Sequence, residues 1–266
     1  MTVELVHRCV SNGIAFITLD SLHNRNALSF QLRAELLQHL EAAEDDDDVR
    51  VIVLTHKGPA FCSGADLKEA TAQGVSGPGV VELTTILERI WKSSKPVVAR
   101  ITGPARAGGL GLIAACDVTI AANTVSFALS EVRIGVVAAV ISATILPRVQ
   151  ASQIHELFLT GETFDAARAK EIGLINCAVA PDSVDAEVRR YTEMLARGGP
   201  KALAATKQML RMQRPDTLAG ELEQLRELSV SFFASKEGRE GMRAFIEKRP
   251  AAWVPIDPVV TAGAES

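Results

Sequence analysis

The sequence predicts an α/β fold: a core built on a parallel sheet, followed by a helical C-terminal region. Three observations predict it. Short apolar runs at residues 51–55, 96–101 and 118–122 alternate with helical patterns, and such alternation implies right-handed crossovers between parallel strands. A glycine-rich corner at residues 103–117, Gly-Pro-Ala-Arg-Ala-Gly-Gly-Leu-Gly-Leu-Ile-Ala-Ala-Cys-Asp, joins one of these runs to a helix of small apolar residues. Past residue 182 no strand pattern recurs, and helical patterns follow one another to the end.

In order, residues 3–10 and 14–19 read as strands joined through Ser11-Asn12-Gly13, and Asn-Gly is a strong hairpin signal. Residues 20–26 are a polar loop that carries Arg25. Ser29 can cap a helix that runs through Glu41, with Leu32, Leu36, Leu37 and Leu40 on one face. The acidic run at residues 45–48 is a solvated helix end, because it lacks the glycine and spacing of a calcium loop. After the strand at 51–55, residues 57–67 form a tight loop into a short helix that Asp66 can cap. Residues 71–79, rich in Gly, Ser, Gln and Pro, read as a mobile loop. A helix at 80–91 and the strand at 96–101 lead to the glycine-rich corner. Beyond it come the strand at 118–122, the run Ser126 to Gly135, an apolar stretch at 139–146 stopped by Pro147, short helices at 153–160 and 165–172, and a last strand at 175–179. Helices are expected at 182–196, 201–211, 218–234 and 237–247, then a loose tail from 254. The domain boundary is placed after residue 198, giving a core of residues 1–198 and a helical region of residues 199–266.

Composition narrows the function. A chain of 266 residues with 47% apolar residues builds one large core or a core with an appendage. The net charge of −4 gives no electrostatic reason to expect nucleic acid or an anionic membrane as partner. The N-terminus has no signal-peptide core, and the longest nearly apolar run, residues 134–146, is too short to span a bilayer. Cys9, Cys62, Cys116 and Cys177 are scattered and read as reduced thiols of a cytoplasmic protein. The five histidines show no metal-ligand spacing, so no metal site is expected.

The corner has three readings. Gly109-x-Gly111-x-x-Ala114 matches a dinucleotide fingerprint, but no acid closes the next strand as that fingerprint requires. The glycines can simply permit close helix–strand packing. Or the corner can stabilise a developing oxyanion, since glycine brings backbone close to a ligand and a helix start offers unpaired N–H groups.

Read together, several segments resemble the enoyl-CoA hydratase/isomerase superfamily, the crotonases, over nearly the whole chain. Asn26-Ala27-Leu28-Ser29 resembles its first substrate loop. Phe61-Cys62-Ser63-Gly64-Ala65-Asp66 resembles its first oxyanion segment, and residues 103–117 the second. Residues 159–166, 173–176 and 240–249 are similar to downstream signatures. The resemblance implies a spiral of ββα turns with two sheets, a helical region that forms trimers or dimers of trimers, and an acyl-CoA thioester substrate. Coenzyme A is then part of the substrate, and no separate cofactor is implied. The backbone N–H groups of Ala65 and Gly108 fall on the two oxyanion donors, and Arg25 lies where a basic side chain meets the CoA phosphates. The substrate site so implied also takes in Ala27, Ser63, Asp66, Leu67 and Ser130.

Glu131 matches the second of two glutamates common in the family's hydratases, whereas Gly111 occupies the position of the first. One glutamate permits two reactions. In the hydratase reading, Glu131 takes a proton from the water that attacks C3 of a 2-enoyl-CoA. In the isomerase reading, it moves a proton between C2 and C4 of a 3-enoyl-CoA. The run Ser130 to Gly135 together with Gly111 resembles hydratases of branched or unusual acyl groups, which favours the first. On its residues alone, Glu131 could also be a helix cap or an ion-pair partner of Arg133. An inactive CoA-ester-binding or RNA-binding protein is the third reading, and the retained Glu131 and the acidic charge balance oppose it.

Overall fold

The computed structural model describes residues 3–73, 81–212, 215 and 217–255. Asn12 and Gly13, both at positive φ (50° and 73°), turn β1 (Val6–Ser11) back along β2 (Ile14–Leu19) as an antiparallel hairpin, the backbone that a two-residue hairpin turn demands. Ser29 caps α1 (Phe30–Asp45) by accepting the Leu32 amide. This helix runs four residues past the expected end at Glu41, because Ala43 prolongs its buried face. β3 (Val51–His56) is buried at every residue, as a strand covered on both faces must be.

α2 (Leu67–Gln73) takes up the first residues of the expected mobile loop, whose remainder, 74–79, lies outside the described residues. α3 (Leu83–Lys92) starts three residues later than expected, with Glu82 extended ahead of it. β4 (Val97–Ile101) passes through the corner into β5 (Ala105–Arg106) and α4 (Gly108–Ala115), every residue of which is buried. β6 (Val118–Ala122) and β7 (Ser126–Ala128) follow. The chain then coils as a 3-10 turn over Ser130–Ile134, closed by Gly135 at φ 75°. α5 (Ala139–Ile145), α6 (Ala151–Thr160), β8 (Thr163–Asp165), α7 (Ala166–Glu171) and β9 (Cys177–Val179) complete the core. The helical region comprises α8 (Val184–Ala196), α9 (Pro200–Arg211), α10 (Leu218–Ala234) and α11 (Lys236–Ile246). Of the expected tail, residues 256–266 lie outside the described residues.

Two sheets result. The larger has the order β1-β2-β3-β4-β6-β9 and is parallel except at the hairpin. The smaller, β5-β7-β8, pairs β5 with β7 in parallel and β7 with β8 antiparallel. The position expected for the domain boundary falls in the turn before α9, whose Pro200 stands in its first turn, where a missing N–H costs nothing. α9 is tied to the core through Asp117: Lys207 Nζ lies 2.7 Å from Oδ2 and Arg211 donates to Oδ1 at 2.8 Å. Arg211 also stacks 4.1 Å over the Trp91 ring.

Candidate functional site

Successive turns of the chain lay four short segments side by side. Leu28 pairs in parallel with Ala65, and its amide donates to Gly64 O at 2.8 Å. Cys62 pairs in parallel with Ala105, and the Arg106 amide donates to Cys62 O at 2.9 Å. Arg106 in turn pairs with Ala128, and the Ala107 amide donates to Ala128 O at 3.0 Å. Because these pairings are parallel, each segment leaves the ladder in the same direction. Ala65, Gly108 and Glu131 therefore emerge at one edge, past the carboxyl ends of the strands, where open α/β sheets bind ligands.

At the corner the strained residue is Ala107, not a glycine. It sits at φ 47°, ψ −118°, a conformation that costs a residue with a side chain about 1–3 kcal/mol. Gly108 follows as the first residue of α4, so its N–H has no acceptor within the helix. Among the described residues neither the Gly108 amide nor the Ala65 amide donates to a backbone acceptor. Gly64, at φ 96°, turns the chain just before Ala65, and a Cβ there would stand 3.0 Å from Ala107 Cβ. The two segments thus touch immediately behind their free amides.

Glu131 lies in the 3-10 turn that leaves β7. Its Oε2 is buried and has no hydrogen-bond partner among the described residues, and burial raises its pKa above the usual carboxylate range. Arg133 is not its ion-pair partner; the guanidinium donates to Thr160 O at 3.0 Å instead. The two other titratable groups weighed for the site make contacts of their own, although His56 Nδ1 is also buried without a partner among the described residues. His56 Nε2 accepts the Thr102 amide at 3.1 Å, and burial lowers the pKa of its imidazole. Asp117 holds α9.

The remaining expected residues divide by what their side chains do. Asp66 caps α2, Oδ1 accepting the Lys68 and Glu69 amides, while Oδ2 accepts Asn24 Nδ2 at 3.0 Å. Burial raises its pKa, but these hydrogen bonds outweigh it and the net shift is downward. The Ser63 hydroxyl donates to Asn24 O at 3.0 Å. Ala27 is buried, Leu67 is exposed at the start of α2, and Ser130 is half-buried beside Glu131. Arg25 is exposed in a left-handed conformation at φ 57°, and its carbonyl accepts the Ser63 amide. Asn26 anchors this loop: buried, it donates to Lys57 O and Ala60 O and accepts the Ser21 amide.

Two contacts at the site have no sequence signal. A Cβ on Gly108 would meet Leu28 Cδ1 at 2.7 Å, so the first loop packs on the corner. A Cβ on Gly111 would meet Ile141 Cγ2 at 2.5 Å, so α5 fills the space over that glycine with hydrocarbon.

The family model described as enoyl-CoA hydratase/isomerase matches residues 10–255. The chain belongs to the enoyl-CoA hydratase/isomerase family. Its similarity to individual members spans most of the chain. The Mycosarcoma maydis protein named enoyl-CoA isomerase/hydratase fer4 is 35% identical over 252 residues, covering 89% of this chain and 91% of its own. The crystal structure of an enoyl-CoA hydratase from Mycobacterium avium is 40% identical, with a TM-score of 0.70 over 95% of this chain and 100% of that one. An enoyl-CoA hydratase/isomerase from Marinobacter aquaeolei is 28% identical, with a TM-score of 0.86 over 95% of this chain and 100% of its own. The crotonase fold expected from the sequence is therefore the fold of this family member, C-terminal helices included. Among its described residues no helix is long and apolar enough to cross a membrane.

Proposed function

We propose that this protein is an enoyl-CoA hydratase that adds water across the 2,3 double bond of an acyl-CoA thioester, with Glu131 as its acid–base residue. The observation that carries this reading is the buried, unpartnered Oε2 of Glu131 beside the strand that delivers Gly108. Glu131 takes a proton from water as the oxygen bonds to C3. The C2–C3 electron pair moves onto the thioester as an enolate, and C2 then takes the proton from Glu131. The amides of Ala65 and Gly108 hold the enolate oxygen, a contribution of about 3 kcal/mol per donor in the transition state. Coenzyme A enters as part of the substrate, with Arg25 placed to meet its phosphates. Ala27, Ser63, Asp66, Leu67 and Ser130 complete the binding surface, Ser63 and Asp66 by holding its loops.

A second reading, Δ3-Δ2-enoyl-CoA isomerase, is favoured by Ile141 over Gly111, since that packing leaves no room for a second carboxylate there. In it, Glu131 removes a proton from C2 and returns it to C4, with the same two amides on the dienolate oxygen. Product analysis with matched 2-enoyl-CoA and 3-enoyl-CoA thioesters separates the two. A 3-hydroxyacyl-CoA product supports the hydratase. A shifted double bond without added water overturns it in favour of the isomerase, and no reaction with either class overturns both.

A further inference from the structure

We propose that Cys62 is a positioning residue whose side chain sets the spacing between the Ala65 and Gly108 amides; the proposal rests on the enolate chemistry above. Cys62 is fully buried on the first of the two segments, three residues before Ala65, and is paired with Ala105 of the segment that leads to Gly108. On one side its Sγ lies 3.5 Å from the Gly64 amide, which donates to it one residue before Ala65. On the other, a Cβ on Gly109 would stand 2.8 Å from Cys62 Cβ and 3.3 Å from Sγ, one residue after Gly108. Its backbone is held by the same partner segment, the carbonyl by the Arg106 amide at 2.9 Å and the amide by Pro104 O at 3.5 Å. One side chain therefore bonds the neighbour of one donor and stands close against the neighbour of the other.

The thiol itself has no part in the chemistry. Burial pushes its pKa up to about 12, so it stays protonated and behaves as a small apolar group with a weak acceptor. Its contribution is volume. Oxyanion donors act only when aimed at the position where charge develops, and a misplacement of about 1 Å can cost about 10²-fold in rate. Removing the sulfur frees the Gly64 amide to shift while Cβ still abuts Gly109, so the Ala65 amide moves relative to the Gly108 amide and the two no longer converge on one oxygen. Ground-state binding of the CoA moiety does not depend on that convergence, so the loss falls on kcat.

The test compares Cys62→Ala and Cys62→Ser with wild type for kcat and KM on an enoyl-CoA substrate and for binding of a saturated acyl-CoA. The expected result is that Cys62→Ala lowers kcat about 10-fold or more while saturated acyl-CoA binds within about 2-fold of wild type. Cys62→Ser, which keeps the shape and an acceptor for Gly64, is expected to stay within about 3-fold of the wild-type kcat. Equal kcat in Cys62→Ala and wild type overturns this inference and leaves the proposed function standing. So does a loss of kcat matched by an equal loss of binding. If Cys62→Ala does not fold, a Cys62→Ser enzyme with kcat reduced about 10-fold or more overturns the inference. A wild type that turns over no enoyl-CoA overturns the proposed function itself and the inference with it.

Discussion

Gly111 and Ile141 are packed so closely that a Cβ on the glycine would stand 2.5 Å from Ile141 Cγ2 and 3.0 Å from Ile141 Cβ. Ile141 is only 3% exposed. A β-branched side chain is stiff at χ1 and cannot swing aside. The neighbouring Thr144 hydroxyl donates to Gly111 O at 3.1 Å and pins the two helices together. We predict that Gly111→Ala destabilises by about 1–3 kcal/mol, the usual range for overpacking, despite the better helix propensity of alanine. Ile141→Ala alone should cost about 2–5 kcal/mol. The double variant should cost at least about 1 kcal/mol less than the sum. Urea unfolding measures all three, and strict additivity would show that this contact does not constrain the site.

Two predictions for Glu131 concern activity and pH-dependent stability. Glu131→Gln is expected to lower turnover by about 10²-fold or more, while acyl-CoA still binds. The sign for stability follows from burial. The folded-state pKa lies above the ordinary glutamate value of 4.5, so the folded protein holds this proton more tightly than the unfolded chain. Its stabilising effect is complete below about pH 4.5 and is lost as pH rises through the folded pKa. Glutamine has no such loss. The Tm of Glu131→Gln minus that of wild type should therefore rise with pH above 4.5 and then level off. A difference that is flat from pH 4 to 8 would place Glu131 in a solvated setting.

Gly108 permits a controlled test of its amide. Alanine and proline both add a Cβ that presses on Leu28 Cδ1, the movable end of a side chain, but only proline removes the N–H. Gly108→Pro should abolish detectable turnover in folded protein, at least about 10²-fold below Gly108→Ala. Equal activities in the two variants, measured with matched circular dichroism, would remove this amide from the site.

Helix α10 has no buried residue and leaves Leu222 57% and Phe233 66% exposed, and on α11 Phe245 is 85% exposed. An apolar surface of this kind marks an association site. We predict trimers, or hexamers of paired trimers, by light scattering at micromolar concentration. A monomeric mass would reject the assembly.

Some of this protein is legible from residue order because the cause is local. Asn12-Gly13 forces a hairpin turn, Ser29 and Asp165 cap helices with their own side chains, and unbroken apolar runs become buried parallel strands. α10 spans the residues expected for it, since its apolar spacing and its Thr217 cap lie within one segment. The two-residue β5 and three-residue β8 are not legible, because strands this short owe their existence to partners distant in the chain. The end of β7 at Ala128 was hidden for the same reason: the run from Ser126 to Gly135 holds no breaker until Gly135.

At the site, residue order pointed to the Ala65 and Gly108 backbone as candidates to meet a ligand and to Glu131 as a carboxylate in an apolar setting, which its burial matches. It did so through the glycines of the two segments and through the apolar run around Glu131. Tertiary structure alone decided that Ala107, not a glycine, takes the strained corner, that Arg133 turns away from Glu131, and that Ile141 closes the space over Gly111. Each of these depends on which atom of a distant segment arrives within van der Waals or hydrogen-bond distance. Side-chain periodicity along one segment carries no information about that distance.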